Sequence, residues 1–357
     1  MVKLSICYEY KDGPWGGSNQ FLKALRKELR AQGHYCDDID DAEALIFGGH
    51  PFATQYNLHD LLALKNKYPA KIIIYRIDGP ISFYRGRDKE FDQSIAFICR
   101  AFVDGIVFQS RWSFEQNKRF FKTVAPYETI ISNAVDCEMF YASDKTSNYN
   151  HEHPKIIATS WSSNLKKGFE IYEYIDQALD FSKFEMTFVG NSPIRFKNIK
   201  MKEPVPQPEL ANLLRNNDIY ITASEKDPCS NSLLEAIACG LPVIALNSGG
   251  HPELIGAGGE LFNGCGDVIA AIEKVATNYD SYRLNLPVYS ISSVARQYYD
   301  FVDTIYDDMR RGLFIPKKLT LSSRIYFSRM HGTILKWKVK KKISEFMTNY
   351  TGKVSIR

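Results

Sequence analysis

No apolar stretch in these 357 residues approaches the roughly 18 needed to span a bilayer, so no transmembrane helix is expected. The run Leu4-Ser5-Ile6-Cys7-Tyr8 is too short for a secretory leader and is followed by charge, which makes a cytoplasmic protein the expectation. Cysteine is sparse and unpatterned. The seven residues are odd in number and include no Cys-x-x-Cys pair, which argues against a disulfide frame or zinc site and for reduced, mostly buried thiols. A phosphate-loop Gly-Lys-Ser/Thr pattern and a Ser-His-Asp arrangement are also missing. His151 and His153 flank Glu152 without further nearby ligands, so no metal site is expected there.

What is present is ordinary in amount and uneven in distribution. A hydrophobic content of 45% with 24% charged residues fits a soluble globular chain, and the length fits about two domains. From Arg310 to Arg357 there are 13 Lys or Arg and the single acid Glu345, a balance of +12; the preceding residues carry the remaining 32 bases and 40 acids, or −8. The body is mildly acidic and the tail strongly basic.

Apolar runs alternate with helical periodicity. Residues 2–8, 44–47, 71–77, 105–109 and 128–132 read as short buried strands, and 19–32 as a helix with Phe21, Leu22, Leu25 and Leu29 on one side. Residues 155–159, 186–189, 218–222, 242–246 and 259–262 read as a second set of strands, with helices at 168–179, 208–216, 231–238 and 266–276. Such alternation predicts an α/β chain of two doubly wound, Rossmann-like domains. The expected division is 1–142, a polar linker at 143–154, a second domain at 155–290, a long helix at 291–312 and a basic tail at 313–357.

The segment Ser224–Glu253 concentrates the chemistry. Its helix opens at Ser230-Asn231, good capping types, and stops at Gly240, the usual residue for a left-handed cap. Asn231 and Glu235, four apart, share a face, so a carboxylate lies one turn above a helix N-terminus that is itself an anion site. Asp227 stands in the loop before it. This arrangement suits a ligand with phosphate at the helix end and hydroxyls on either side, a nucleotide sugar.

Asp227-x7-Glu235, followed by Ala-Ile-Ala-Cys-Gly-Leu-Pro-Val-Ile-Ala, resembles the acidic motif of the family 4 retaining glycosyltransferases of GT-B fold, in which two Rossmann-like domains face a central cleft. The resemblance implies that Asp227, where the family usually has Glu, binds hydroxyls of the donor sugar, and that Glu235 binds the ribose. It likewise implies that Lys167, directly before Gly168, neutralises the diphosphate, with Lys166 as the alternative; relatives usually add an Arg where this chain has Trp161 and Ser162. Gly16-Gly17, at a strand-to-helix turn, matches a glycine loop lying against the donor diphosphate, and could equally be a simple turn. Gly190 and Asn191 match a strand end near the nucleotide, and Ser132–Asp136 a motif before the linker. The helix 291–312 is expected to cross back to the first domain, as in the family.

Asp78 ends the strongest strand of the first domain, where many relatives have a His; it could position sugar or acceptor hydroxyl, or cap the turn before Pro80. Glu253 is expected to shape its loop rather than perform chemistry. Asp37–Asp41 contains an Asp-x-Asp, the metal signature of a different glycosyltransferase fold, but its place after a first helix reads as a solvated acidic loop.

The resemblance therefore implies a retaining, metal-independent hexosyltransferase, moving a sugar from a nucleoside diphosphate donor to a hydroxyl of a glycan or lipid-linked acceptor, with no cofactor. A nucleotide-sugar epimerase of the same fold and a non-catalytic sugar-nucleotide-binding subunit are the alternatives. The Trp-bearing basic tail suits an anionic membrane surface, or packs on the chain's own acidic body. No nucleic-acid partner is expected, since no motif accompanies the charge.

Overall fold

The computed structural model describes residues 2–12, 17–48, 55–142, 149–150 and 152–328, with Gly332, Leu335, Lys336, Val339 and Ile343 beyond them. Gly16, His151 and Trp337 lie outside the described residues.

Five four- to six-residue apolar runs become the first sheet: β1 (Leu4–Cys7), β2 (Ala44–Phe47), β3 (Ile72–Ile77), β4 (Gly105–Phe108) and β5 (Tyr127–Ile130), hydrogen-bonded in that order with every neighbour parallel. The first four are buried on both faces, as parallel sheets covered by helices require. A bridge from Leu4 to Tyr35 extends the sheet beyond β1, so the chain runs outward first and then returns to wind the other way. The second sheet contains β6 (Lys155–Ser160), β7 (Glu185–Gly190), β8 (Lys200–Lys202), β9 (Ile219–Thr222), β10 (Val243–Leu246) and β11 (Gly259–Phe262). Its order β11-β10-β9-β6-β7-β8 is parallel throughout, with the reversal between β6 and β9. The alternation in the sequence does not show β8: Lys200-Met201-Lys202 is wholly exposed and joins only through its backbone at the sheet edge.

Chain from beyond the second sheet covers both faces of the first. Tyr298, Val302 and Ile305 of the Ile291–Arg310 helix pack with Phe21, Leu25 and Leu29 of the Gly17–Ala31 helix on one face. On the other, Leu319 and Phe327 join the core of the Lys89–Phe102 helix, where Phe327 meets Phe97 and Phe102. Asp104 pins this strap: it accepts from the Lys317 amide (2.8 Å), from the Ile73 amide (2.8 Å) and from the buried Lys65 ammonium (3.2 Å). The start of the basic tail thus packs on the chain's own body. No helix among the described residues is long and apolar enough to cross a membrane.

Candidate functional site

Ligands in doubly wound sheets bind beyond the carboxyl ends of strands at the reversal point. At that end of β6, β7 and β9 lies a cavity of about 300 Å³, whose wall includes Lys167, Gly190, Asp227, Ser230, Asn231 and Glu235. Gly17 closes it from the first domain. A second cavity, of about 490 Å³, continues toward the first domain and shares Gly17, Lys167, Asp227 and Asn231 with the first. Asp78 lines this second space.

The Asn231–Ala238 helix presents Leu233, Leu234 and Ile237 to the core and its opening turn to the cavity. It ends in a Schellman motif: the Gly240 amide donates to Ile237 O (2.9 Å) and Leu241 to Ala236 O (3.1 Å), with Gly240 at φ +84°. The expected capping role of Ser230 is not observed. Its hydroxyl makes no cap bond and lies 3.2 Å from Ser232 Oγ, which leaves the first-turn amides without a side-chain acceptor. One turn on, Glu235 is buried in the wall. Burial alone raises its carboxyl to about 8, with no hydrogen bond or charge offsetting the cost of desolvation.

Lys167 and Lys166 separate cleanly. Lys166 is ion-paired to Glu225, whereas Lys167 reaches Asp227 Oδ2 at 3.3 Å in the cavity wall. Asp227 Oδ1 accepts from the Cys229 amide (3.2 Å), and its backbone carbonyl accepts from Gly250 N (2.8 Å). Gly249 lies so close, at φ +65°, that a Cβ there would meet Asp227 O at 2.2 Å. The Asn247–Gly250 loop therefore fixes Asp227 by backbone contact. The Cys229 thiol, in the same wall, is pushed up to about 12 by burial and is no nucleophile at neutral pH.

Gly17 begins a helix, and its need for glycine comes from across the cleft: a Cβ would meet Asn231 Nδ2 at 2.0 Å and Cγ at 2.6 Å. Asn191 is absent from the cavity wall. Its side-chain amide donates to Trp161 O (2.6 Å), holding in place the 160–162 loop that lines the wall. Trp161 and Ser162 line both cavities.

Asp78 is a hub rather than a cap. It accepts from Ser18 Oγ (2.8 Å), from Gln109 Nε2 and from the buried Arg76 guanidinium. The turn at Pro80 is capped by Asp92 instead, which accepts from the Ile81 (2.7 Å) and Ser82 (2.9 Å) amides. Arg76 donates on to Asn133 Oδ1 (2.8 Å), and Asn133 Nδ2 donates to Asn231 Oδ1 (3.0 Å). A buried polar chain thus links Asp78 to the helix that carries Glu235. Glu253 makes a second link between domains, accepting from the Arg111 (2.8 Å) and Trp112 (3.0 Å) amides at the start of a first-domain helix. Asn133 and Glu253 were visible only as motif positions; bridging partners 98 and about 140 residues away leave no local signal. Asp37 and Asp40 pair with Arg30 and Lys67 on the surface and line neither cavity.

Two parallel-sheet Rossmann-like domains with a cleft at their carboxyl ends define the GT-B architecture. Residues 196–284, which include Asp227, Ser230, Asn231 and Glu235, match the family model described as glycosyl transferases group 1. The chain is 27% identical over 175 residues (43% of this chain, 34% of the relative) to the sulfoquinovosyl transferase SQD2 of Arabidopsis thaliana. It is 39% identical over 140 residues (35% and 37%) to the N-acetyl-alpha-D-glucosaminyl L-malate synthase of Bacillus anthracis. These alignments span little more than a third of each relative's own length. In fold, the chain is similar to HepE of Anabaena in complex with UDP-glucose, with a TM-score of 0.66 at 13% identity, over 85% of this chain and all of that one.

Proposed function

We propose that this protein is a retaining glycosyltransferase of family 4 that moves a hexose from a nucleoside diphosphate sugar to a hydroxyl of a glycan or lipid-linked acceptor, without a metal. The observation that carries the reading is Glu235: a buried carboxylate in a cavity wall, one turn above uncapped helix amides, with no protein donor. Ribose hydroxyls supply the missing donors, while Lys167 and the helix end take the diphosphate.

The larger cavity then receives the acceptor, and the donor's diphosphate lies where the two cavities join, at Gly17, Lys167, Asp227 and Asn231. In the retaining step the bond from the sugar's anomeric carbon to phosphate oxygen breaks, and the acceptor oxygen bonds that carbon on the same face. The acceptor proton passes to the departing phosphate. This route is favoured because the nearby carboxylates are engaged: Asp78 accepts from three side chains and Asp227 from Lys167 and an amide. Electrostatic stabilisation of the leaving group by preorganised donors supplies most of the rate. A cytoplasmic enzyme held at an anionic membrane face by its basic tail would meet a lipid-linked acceptor there.

The test is release of nucleoside diphosphate from UDP-, GDP- and ADP-sugars in EDTA, for wild type and Glu235→Ala. The UDP-glucose complex of a structurally similar protein makes uridine the first base to try. Release with one donor, abolished in the variant, is expected. Conversion of donor without acceptor would instead indicate an epimerase, and binding without turnover on any acceptor a binding subunit. No response to any donor would refute the reading.

A further inference from the structure

Where the two cavities meet, the protein's charges are largely matched before any ligand binds. Lys167 faces Asp227, and the buried Arg76 is held by Asp78 and Asn133. A diphosphate arriving there brings negative charge on both phosphates, and more once the sugar has left. A further cation in the wall is therefore needed.

Arg85 has the right placement. It lines the larger cavity together with Lys167, Asp227 and Asn231. It ends the short Ile81–Arg85 helix, which Gly86 terminates at φ +72°. Its ion-pair partner among the described residues, Asp88, stands 3.9 Å away, too far for a hydrogen bond, and is shared with Arg87 at the same distance. Two contacts hold this helix end against the second domain. The Lys226 ammonium lies 5.7 Å over the Phe83 ring, and Asn164 Nδ2 donates to Tyr84 O at 3.3 Å. Asn164 also shapes the turn bearing Lys167, accepting from the Lys166 amide at 3.0 Å. One asparagine thus joins the backbone beside Arg85 to the turn that carries Lys167. Tyr84 and Arg85 share the wall of the larger cavity with Asp78 and Asp227, so this helix end borders the cleft between the domains.

We propose that Arg85 is a ligand of the donor's diphosphate, supplied across the cleft by the first domain and paired with Lys167 from the second. The guanidinium fork suits two phosphate oxygens, and a hydrogen bond between opposite charges is among the stronger ones. The diphosphate site is then complete only when both domains contribute. This assignment rests on the nucleotide-sugar reading above.

The experiment measures affinity, by calorimetry, for the nucleoside diphosphate that wild type binds best among UDP, GDP and ADP, and for the corresponding nucleoside. Arg85→Ala is expected to weaken the diphosphate about tenfold or more while leaving the nucleoside within about twofold, which also shows that the variant is folded. Arg85→Lys should recover part of the loss, and Arg87→Ala, which lines neither cavity, should match wild type. Unchanged diphosphate affinity in Arg85→Ala overturns the proposal; if turnover then falls only with anionic acceptors, the anion that Arg85 holds belongs to the acceptor. Equal losses for nucleoside and diphosphate would mark a structural residue and overturn it as well. If wild type binds neither ligand, the nucleotide-sugar reading itself fails and takes this assignment with it.

Discussion

Burial lifts the Glu235 carboxyl from its ordinary value near 4.5 to about 8, and Glu235→Gln isolates that effect by keeping shape while removing the titration. In the empty protein at neutral pH the group is mostly protonated. Ribose hydroxyls are donors and favour the ionised form, so nucleotide binding should expel a proton. Affinity should therefore be flat above pH 8 and fall by about tenfold for each pH unit below it, until the neutral acid's own weaker binding takes over. Calorimetry between pH 6 and 9, in buffers of different ionisation enthalpy, reads both the slope and the proton. The variant should bind more weakly above pH 8 and show neither. Stability carries the same signature with a definite sign. The folded state holds the proton between about 4.5 and 8 and the unfolded state does not, so wild-type stability declines as pH rises through that window. Glu235→Gln should lack this component, and the gap between the two proteins should grow toward pH 8, to at most roughly 5 kcal/mol. Parallel pH profiles for wild type and variant, in binding and in stability, would refute the reasoning.

Two other substitutions probe the frame around the site. Gly17→Ala puts a methyl where Asn231 Nδ2 stands at 2.0 Å, so it should force the domains apart or displace Asn231 from Asn133. A loss of stability of about 1–3 kcal/mol, a larger radius of gyration in solution scattering and loss of donor turnover are expected; wild-type values in all three would disprove the contact. Phe327→Ala removes a ring that is 5% exposed and packed on Phe97 and Phe102. Chemical denaturation should show a cost of about 3–5 kcal/mol, and a cost near zero would mean that the strap does not belong to the first domain's core.

The apolar strands and the acidic motif were legible because their information is local. Runs such as Ile72-Ile73-Ile74-Tyr75 can only be interior in a sheet covered on both faces, and Asn231 and Glu235 are placed by helical periodicity alone. Three features were not legible. Lys200-Met201-Lys202 pairs by backbone and has no apolar signature. Ser230 stands at the N-cap but its side chain makes no cap bond, because a side chain's hydrogen bond depends on its rotamer and neighbours. Why position 17 excludes a side chain was not legible, because the atom in the way belongs to Asn231 in the other domain. The links through Asn133 and Glu253 were hidden for the same reason: their partners adjoin only after both sheets have formed.

The strap and the Ile291–Arg310 helix have a consequence for how the protein is made. The first domain leaves the ribosome first, but both faces of its sheet wait for residues 291–327, synthesised after the whole second domain. The usual order, with the N-terminal unit folding while the rest is translated, is therefore inverted at its last step. The second domain can close its own core during synthesis, while the first keeps apolar surface open until translation is nearly done. Exchange of domains between related chains must obey the same rule: a transplanted first domain has to travel with the C-terminal segment that completes it.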